Sequence, residues 1–161
     1  MVGKQTKISK CGFEVGDCSY IGPSCFLGPN VKLGHFCMIS DHVHFIGYDH
    51  VYDAPGVPAI LGGRPAEQPE TLVGDDVWIG HSVSIMRGVE IGEGSIIAAH
   101  SVVTKNVAPY TVVAGVPAKE IKQRFSDNDR EKHANFLKKY REGKISLNHD
   151  RLAEFKHINN R

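Results

Sequence analysis

The chain has 161 residues, the size of one ordinary domain, and a formal net charge of +1 from 19 basic and 18 acidic side chains. Both signs are interspersed, which gives no electrostatic case for nucleic acid and no basic run dense enough for a membrane patch. No apolar run approaches bilayer length and Met1-Val2-Gly3-Lys4-Gln5 lacks the apolar core of a signal peptide, so a soluble cytoplasmic protein without membrane insertion is expected.

From Val15 a hydrophobic residue recurs at every sixth position: Val15, Ile21, Leu27, Leu33, Ile39 and Phe45. A small residue usually follows it, as at Gly16, Gly22, Gly28, Gly34 and Ser40. A period of six fits neither a helix at 3.6 nor plain alternation, but it fits three short strands per turn of a coil. The repeated residue and the one two before it then point inward, and the small residue sits at a corner. One hexad cannot bury its apolar face alone, so the coils stack and like residues recur every eighteen positions. Cys25 and Cys37 occupy inward slots and read as small buried thiols. With Cys11 and Cys18 they form no C-x-x-C pair, so neither a zinc ribbon nor a disulfide framework is expected.

His42 and His44 flank inward-pointing Val43 and point outward together. A His-x-His pair invites a metal ion, but spacing places no third ligand beside it, so the pair reads as solvent or interface histidines and no metal is expected. The repeat then breaks. Residues 47–72 are irregular and rich in Pro and Gly. An insertion in a repeat array is extruded from one face, often the functional one. Counting on from Phe45 puts the next inward residue at Val51 and makes His50 an outward residue at the break. A neutral imidazole there can take the proton of an attacking hydroxyl. Asp49, Asp53 or a backbone carbonyl can fix its tautomer. The competing reading is one more surface histidine among nine.

The repeat resumes at Val73, Ile79, Ile85, Ile91, Ile97 and Val103. His81, Ala99 and Pro117 are spaced by eighteen and are predicted to stack at one corner. Trp78 alternates outward between Val77 and Ile79, as a large aromatic that meets a partner surface. Beyond residue 125 the pattern changes. Ser126 can cap a helix with Asp127 and Asp129 in its first turn, Ala134, Phe136, Leu137 and Tyr140 form a helical stripe, and Gly143 is a stop. A second short helix is expected around Leu152 and Phe155. The tail reads as a cap on the coil.

The hexads resemble those of the left-handed parallel β-helix acyltransferases. Four motifs sharpen this: Asp76-Val77-Trp78-Ile79-Gly80, Gly88-Val89-Glu90-Ile91-Gly92, Ser101-Val102-Val103-Thr104-Lys105 and Ala114-Gly115-Val116-Pro117-Ala118-Lys119. Together they resemble the xenobiotic and sugar O-acetyltransferase branch of the hexapeptide-repeat acetyltransferase family, over residues 11–125. The resemblance implies an all-β solenoid at residues 1–125 with the loop 47–72 inserted, followed by a helical tail at 126–161. Its left hand comes from the resemblance alone, since general rules favour right-handed crossovers.

In that family the histidine of Gly47-x-x-His50-x-x-Asp53 is the catalytic base, and the pantetheine arm of acetyl-CoA lies along a corner edge between subunits of a homotrimer. The resemblance therefore implies His50 as base and His81, Ala99 and Pro117 on the cofactor edge. Thr104 and Lys105 match a family Thr-Lys pair. Lys119 and Lys122 stand where some relatives place arginines on the nucleotide phosphates; otherwise they form a charged helix face. Tyr20, Asp49, Asp53 and Trp78 are acceptor-side candidates. The implied activity is acetyl-CoA-dependent O-acetylation of a sugar hydroxyl in a surface polysaccharide or its precursor. The alternatives are an antibiotic of the streptogramin or chloramphenicol type, which the short loop disfavours, or an amino sugar. A zinc carbonic anhydrase on the same fold is disfavoured because its H-x4-H pair is missing. A non-catalytic solenoid completes the set.

Overall fold

The computed structural model describes residues 1–47, 49–67 and 69–147, so the helix expected around Leu152 and Phe155 lies outside the described residues. The chain divides into two compact units, Met1–Arg124 and Phe125–Arg161.

The first unit is built from very short strands. Before the loop come β1 (Lys7–Ile8), β2 (Glu14–Val15), β3 (Tyr20–Ile21), β4 (Phe26–Leu27), β5 (Val31–Leu33), β6 (Met38–Ile39) and β7 (His44–Phe45). After it come β8 (Thr71–Val73), β9 (Trp78–Ile79), β10 (Ser84–Ile85), β11 (Glu90–Ile91), β12 (Ile96–Ile97), β13 (Val102–Val103), β14 (Thr111–Ala114) and β15 (Lys119–Gln123). Three sheets take these strands in rotation. Their orders are β1-β4-β7-β10-β13, β11-β8-β5-β2 and β15-β14-β12-β9-β6-β3. All pairings are parallel except the last, where β15 runs back along β14.

The hexad residues make the core. Ile21, Leu27, Leu33, Ile39, Phe45, Val73, Ile79, Ile85, Ile91, Ile97 and Val103 are all buried, as are Cys25, Val31, Cys37, Val43, Val77, Val83 and Val89 two positions earlier in their hexads. Each buried aliphatic side chain contributes about 1.5–3 kcal/mol of transfer free energy. The outward column of the six-stranded sheet is also apolar: Tyr20, Met38, Trp78, Ile96 and Val112 are successive register partners. Among the described residues no helix is long and apolar enough to cross a membrane.

Five features differ from the sequence expectation. Val15 is 47% exposed. The first coil starts earlier, where Ile8 pairs with Leu27 at an offset of nineteen instead of eighteen, so one extra residue hides that coil from a six-residue count. Val51 is not the next inward residue. Leu33, Ile39 and Phe45 pair with Val73, Ile79 and Ile85, each forty positions on, and Val51 lies in the loop with its N–H on Gly63 O. That loop ends before Thr71, because Thr71 and Leu72 already pair with Val31 and Lys32. Finally, Ile97 pairs with Val113, an offset of sixteen. The last coil is two residues short, so the residue in register with Ala99 is Gly115, and Pro117 falls in the turn between β14 and β15.

In the second unit, α1 spans Asp127–Arg141. Ser126 caps it by accepting from the Asp129 N–H at 3.3 Å. Asp127 and Asp129 at its start, and Lys138, Lys139 and Arg141 at its end, complement the helix dipole. Gly143 follows at φ 68°, a left-handed conformation that glycine adopts without strain.

Candidate active site

The corner that leads from the six-stranded into the five-stranded sheet carries an open groove of about 480 Å³. Its walls come from β9 and β12 and the residues that follow them: Trp78, Gly80, His81, Ile97, Ala98 and Ala99 among others. The local reason is the hexad pattern. Trp78 and Ile96 are adjacent outward residues on one sheet, and glycine at 80 keeps the floor low. A Cβ on Gly80 would stand 2.7 Å from the Ala99 nitrogen. His81 and Ala99 belong to consecutive coils, joined where the His100 N–H donates to His81 O at 2.9 Å.

His81 is held from two sides. Its Nδ1 lies 3.0 Å from Asp41 Oδ1, and its Nε2 lies 2.8 Å from Ser82 Oγ. His42 Nδ1 approaches the other Asp41 oxygen at 3.2 Å. The His81 ring also meets the His42 and His100 rings edge to face, at 5.5 and 5.2 Å between centroids. Hydrogen bonds from His81 first and His42 second hold the Asp41 carboxyl below its ordinary pKa. An ionised Asp41 therefore accepts from Nδ1–H of His81, which leaves Nε2 to accept from the Ser82 hydroxyl. Asp41 and Ser82 were not singled out from the sequence. The signal exists: with the loop excised, Asp41 is in register with His81, as Ile39 is with Ile79.

His42 and His44 do not converge. His42 turns to Asp41 at the corner, while the His44 ring packs edge to face on Phe26 at 6.5 Å. The two share a strand face in the sequence reading, but His42 has φ 57°, and this left-handed corner redirects its side chain.

The other corner, which leaves the five-stranded sheet, carries the start of the loop. His50 is exposed there and has no hydrogen-bond partner among the described residues. Asp49 is engaged elsewhere, with Oδ2 3.3 Å from Arg87 Nε. Arg87 was also missed by the sequence reading; its Nη1 is buried without a hydrogen-bond partner among the described residues. Asp53 is exposed. Thr104 and Lys105 are exposed just after β13, and register aligns Lys105 with Arg87 and Gly47 on this corner. Lys119 and Lys122 lie on β15, paired with Ala114 and Val112, and not on a helix face.

The candidate residues thus fall into two groups. His81, Ala99 and Trp78 share the groove. His50, Asp49, Thr104 and Lys105 belong to the next corner. Tyr20 is in the outward column with Trp78 but one strand beyond Met38, and Pro117 lies in the terminal turn.

Short parallel strands taken in rotation from hexads define a hexapeptide-repeat protein, and residues 70–105 match the family model described as bacterial transferase hexapeptide (six repeats). The chain is 33% identical over 152 residues to the galactoside O-acetyltransferase of Escherichia coli K12, covering 83% of this chain and 73% of that one. It belongs to the hexapeptide-repeat acetyltransferase family. It is also 42% identical over 116 residues to a probable macrolide acetyltransferase of Lysinibacillus sphaericus, covering 63% of this chain and 64% of that one. A solved hexapeptide-repeat acetyltransferase of Vibrio cholerae O1 biovar eltor, complexed with acetyl-CoA, superposes with a TM-score of 0.63 at 27% identity, covering 77% of this chain and 70% of that one. The chain spans just under two thirds of the length of the first curated relatives it matches.

Proposed function

We propose that the protein is an acetyl-CoA-dependent O-acetyltransferase acting on a sugar hydroxyl, of the kind found in a surface polysaccharide or its precursor. Residues 1–125 form a left-handed β-helix that carries the activity, and the tail proposed for 126–161 begins with α1, its last residues, 148–161, lying outside the described ones. The observation that carries the sugar acceptor is the relation to the galactoside O-acetyltransferase, which covers 83% of this chain and 73% of that one. Acetyl-CoA as donor is supported by the related acetyltransferase solved with that ligand, and it fits a cytoplasmic protein.

In this reading His50 is the general base. It takes the hydroxyl proton as the acceptor oxygen bonds to the acetyl carbon, and returns that proton to the sulfur as the C–S bond breaks. The groove at His81 and Ala99 receives the pantetheine arm, and Lys119 and Lys122 serve the nucleotide phosphates as point charges. Thr104 and Lys105 complete the donor site; Tyr20, Asp49, Asp53 and Trp78 are on the acceptor side.

His50 and the groove occupy different corners of one chain. That separation supports a homotrimer in which the base of one subunit faces the groove of the next. The exposed apolar column through Met38 and Trp78 supports burial between subunits.

A second reading, acetylation of an antibiotic hydroxyl, is favoured by the 42% identity to the probable macrolide acetyltransferase. A panel of galactosides, nucleotide sugars, macrolides and chloramphenicol, followed by release of free CoA thiol, separates the two. Turnover confined to the drugs replaces the sugar reading. Failure to bind acetyl-CoA by calorimetry removes both.

A further inference from the structure

The corner above the groove gathers donor atoms that its proposed role does not use. Asp41, His42 and His81 each offer one, and these atoms lie within 4.8 Å of one another. The set is two imidazoles and a carboxylate, the nitrogen and oxygen donors that Zn²⁺ takes in sites with three protein ligands and an open position. Zinc stands about 2.0–2.2 Å from such donors, so they sit roughly 3.3–3.5 Å apart around it. His81 Nδ1 lies 3.0 Å from one Asp41 oxygen and His42 Nδ1 lies 3.2 Å from the other, so small rotations of the carboxylate and the rings bring one atom from each residue into that range.

A second feature fits. A ligating histidine needs a partner for its other ring nitrogen, to fix the tautomer and the ring plane. With Nδ1 of His81 on the ion, its proton sits on Nε2, and Ser82 Oγ is the acceptor 2.8 Å away. A serine hydroxyl rotates freely between donor and acceptor roles, so the same contact serves His81 with or without an ion. The carboxylate supplies negative charge.

We propose that Asp41, His42 and His81 form a binding site for a divalent first-row transition cation, Zn²⁺ in the first instance. His81 also lines the groove, so ligation recruits an imidazole that faces groove ligands. If acetyl-CoA lies there as proposed above, Zn²⁺ lowers its affinity. This consequence rests on that reading; the site itself does not.

The experiment is a calorimetric titration of the full chain with ZnCl₂ in the absence of acetyl-CoA. The Cys11→Ser/Cys18→Ser background removes the two exposed thiols, so that thiolate ligation cannot account for any zinc uptake. One Zn²⁺ per chain is expected. His42→Asn and His81→Asn should each weaken it about ten-fold or more. Asparagine tolerates the left-handed backbone at 42, and a thermal transition in EDTA shows that both variants fold. Absence of saturable binding in the thiol-free chain overturns the site, as does binding that either substitution leaves unchanged. Acetyl-CoA titrated in EDTA tests the groove separately. A chain that binds zinc but not acetyl-CoA keeps the metal site and loses the donor reading.

Discussion

His81 Nδ1 stands 3.0 Å from Asp41 Oδ1, across forty residues of sequence but a single step of the coil. The loop accounts for the difference. It leaves after β7 and returns at β8 without disturbing the register of the strands on either side. A carboxylate from the coil before the break therefore orients a groove histidine from the coil after it.

That contact has a pH signature. The Asp41 carboxyl is held below its ordinary value by His81 and then His42. A folded pKa below the unfolded one stabilises the fold fully above the unfolded value of about 4. The contribution is lost as pH falls through the depressed folded value. Between pH 5 and pH 3 the urea midpoint of the wild type should fall further than that of Asp41→Asn. Parallel declines would show that Asp41 carries no acid sensitivity.

His50→Ala should fold and bind acetyl-CoA like the wild type while kcat drops by about 10²–10⁴-fold with any working acceptor. A second assay addresses the two corners. Chains carrying His50→Ala, refolded together with chains whose groove is blocked by Ala99→Trp, should recover part of the activity through mixed assemblies. Recovery at the level of either variant alone would argue that base and groove act within one subunit.

The thiols divide by burial. Cys37 is pushed up to about 12 and Cys25 is raised, in both cases chiefly by burial, and their sulfurs donate to Gly74 O and Ser40 O. Cys11 and Cys18 are exposed. Iodoacetamide at pH 8 should add two labels to the native chain and four after unfolding, read by intact mass. Rapid labelling of Cys37 in the native state would mean that the coil opens there.

Position along the coil should set the cost of core truncation. Ile79 is fully buried between Ile39 and Ile97, so Ile79→Ala should cost about 2–5 kcal/mol. Val15 holds the same hexad slot but is half exposed, and Val15→Ala should stay within about 0.5 kcal/mol. Urea unfolding measures both. Equal costs would contradict the open end at β2.

The architecture was legible because burial enforces it. Each core residue from Ile21 to Val103 must meet its neighbour on the next coil, so the period survives in the chain itself. The helix from Asp127 was legible through Ser126 and its charge pattern. What was lost lay at changes of count. One extra residue concealed the coil at Ile8, and a coil two residues short moved Pro117 off the corner of Ala99. The partnership of Asp41 with His81 was hidden by the loop. Contacts of this kind depend on which residues the insertions separate, and no local pattern near Asp41 or Ser82 marks them. Arg87 escaped for another reason: its partner Asp49 belongs to the loop, where no period applies.

The two ends of that loop lie against adjacent residues of the coil below. A Cβ on Gly47 would touch the Pro29 ring at 3.1 Å, and the Thr71 N–H donates to Asn30 O at 2.8 Å. The loop thus plugs into a socket two residues wide, and closing a longer loop costs only slowly rising entropy. Such a socket makes the segment an exchangeable cartridge. If the loop bounds the acceptor as proposed, chemistry there can diversify by swapping one stretch of chain, while the stacked hexads beneath it remain as they are.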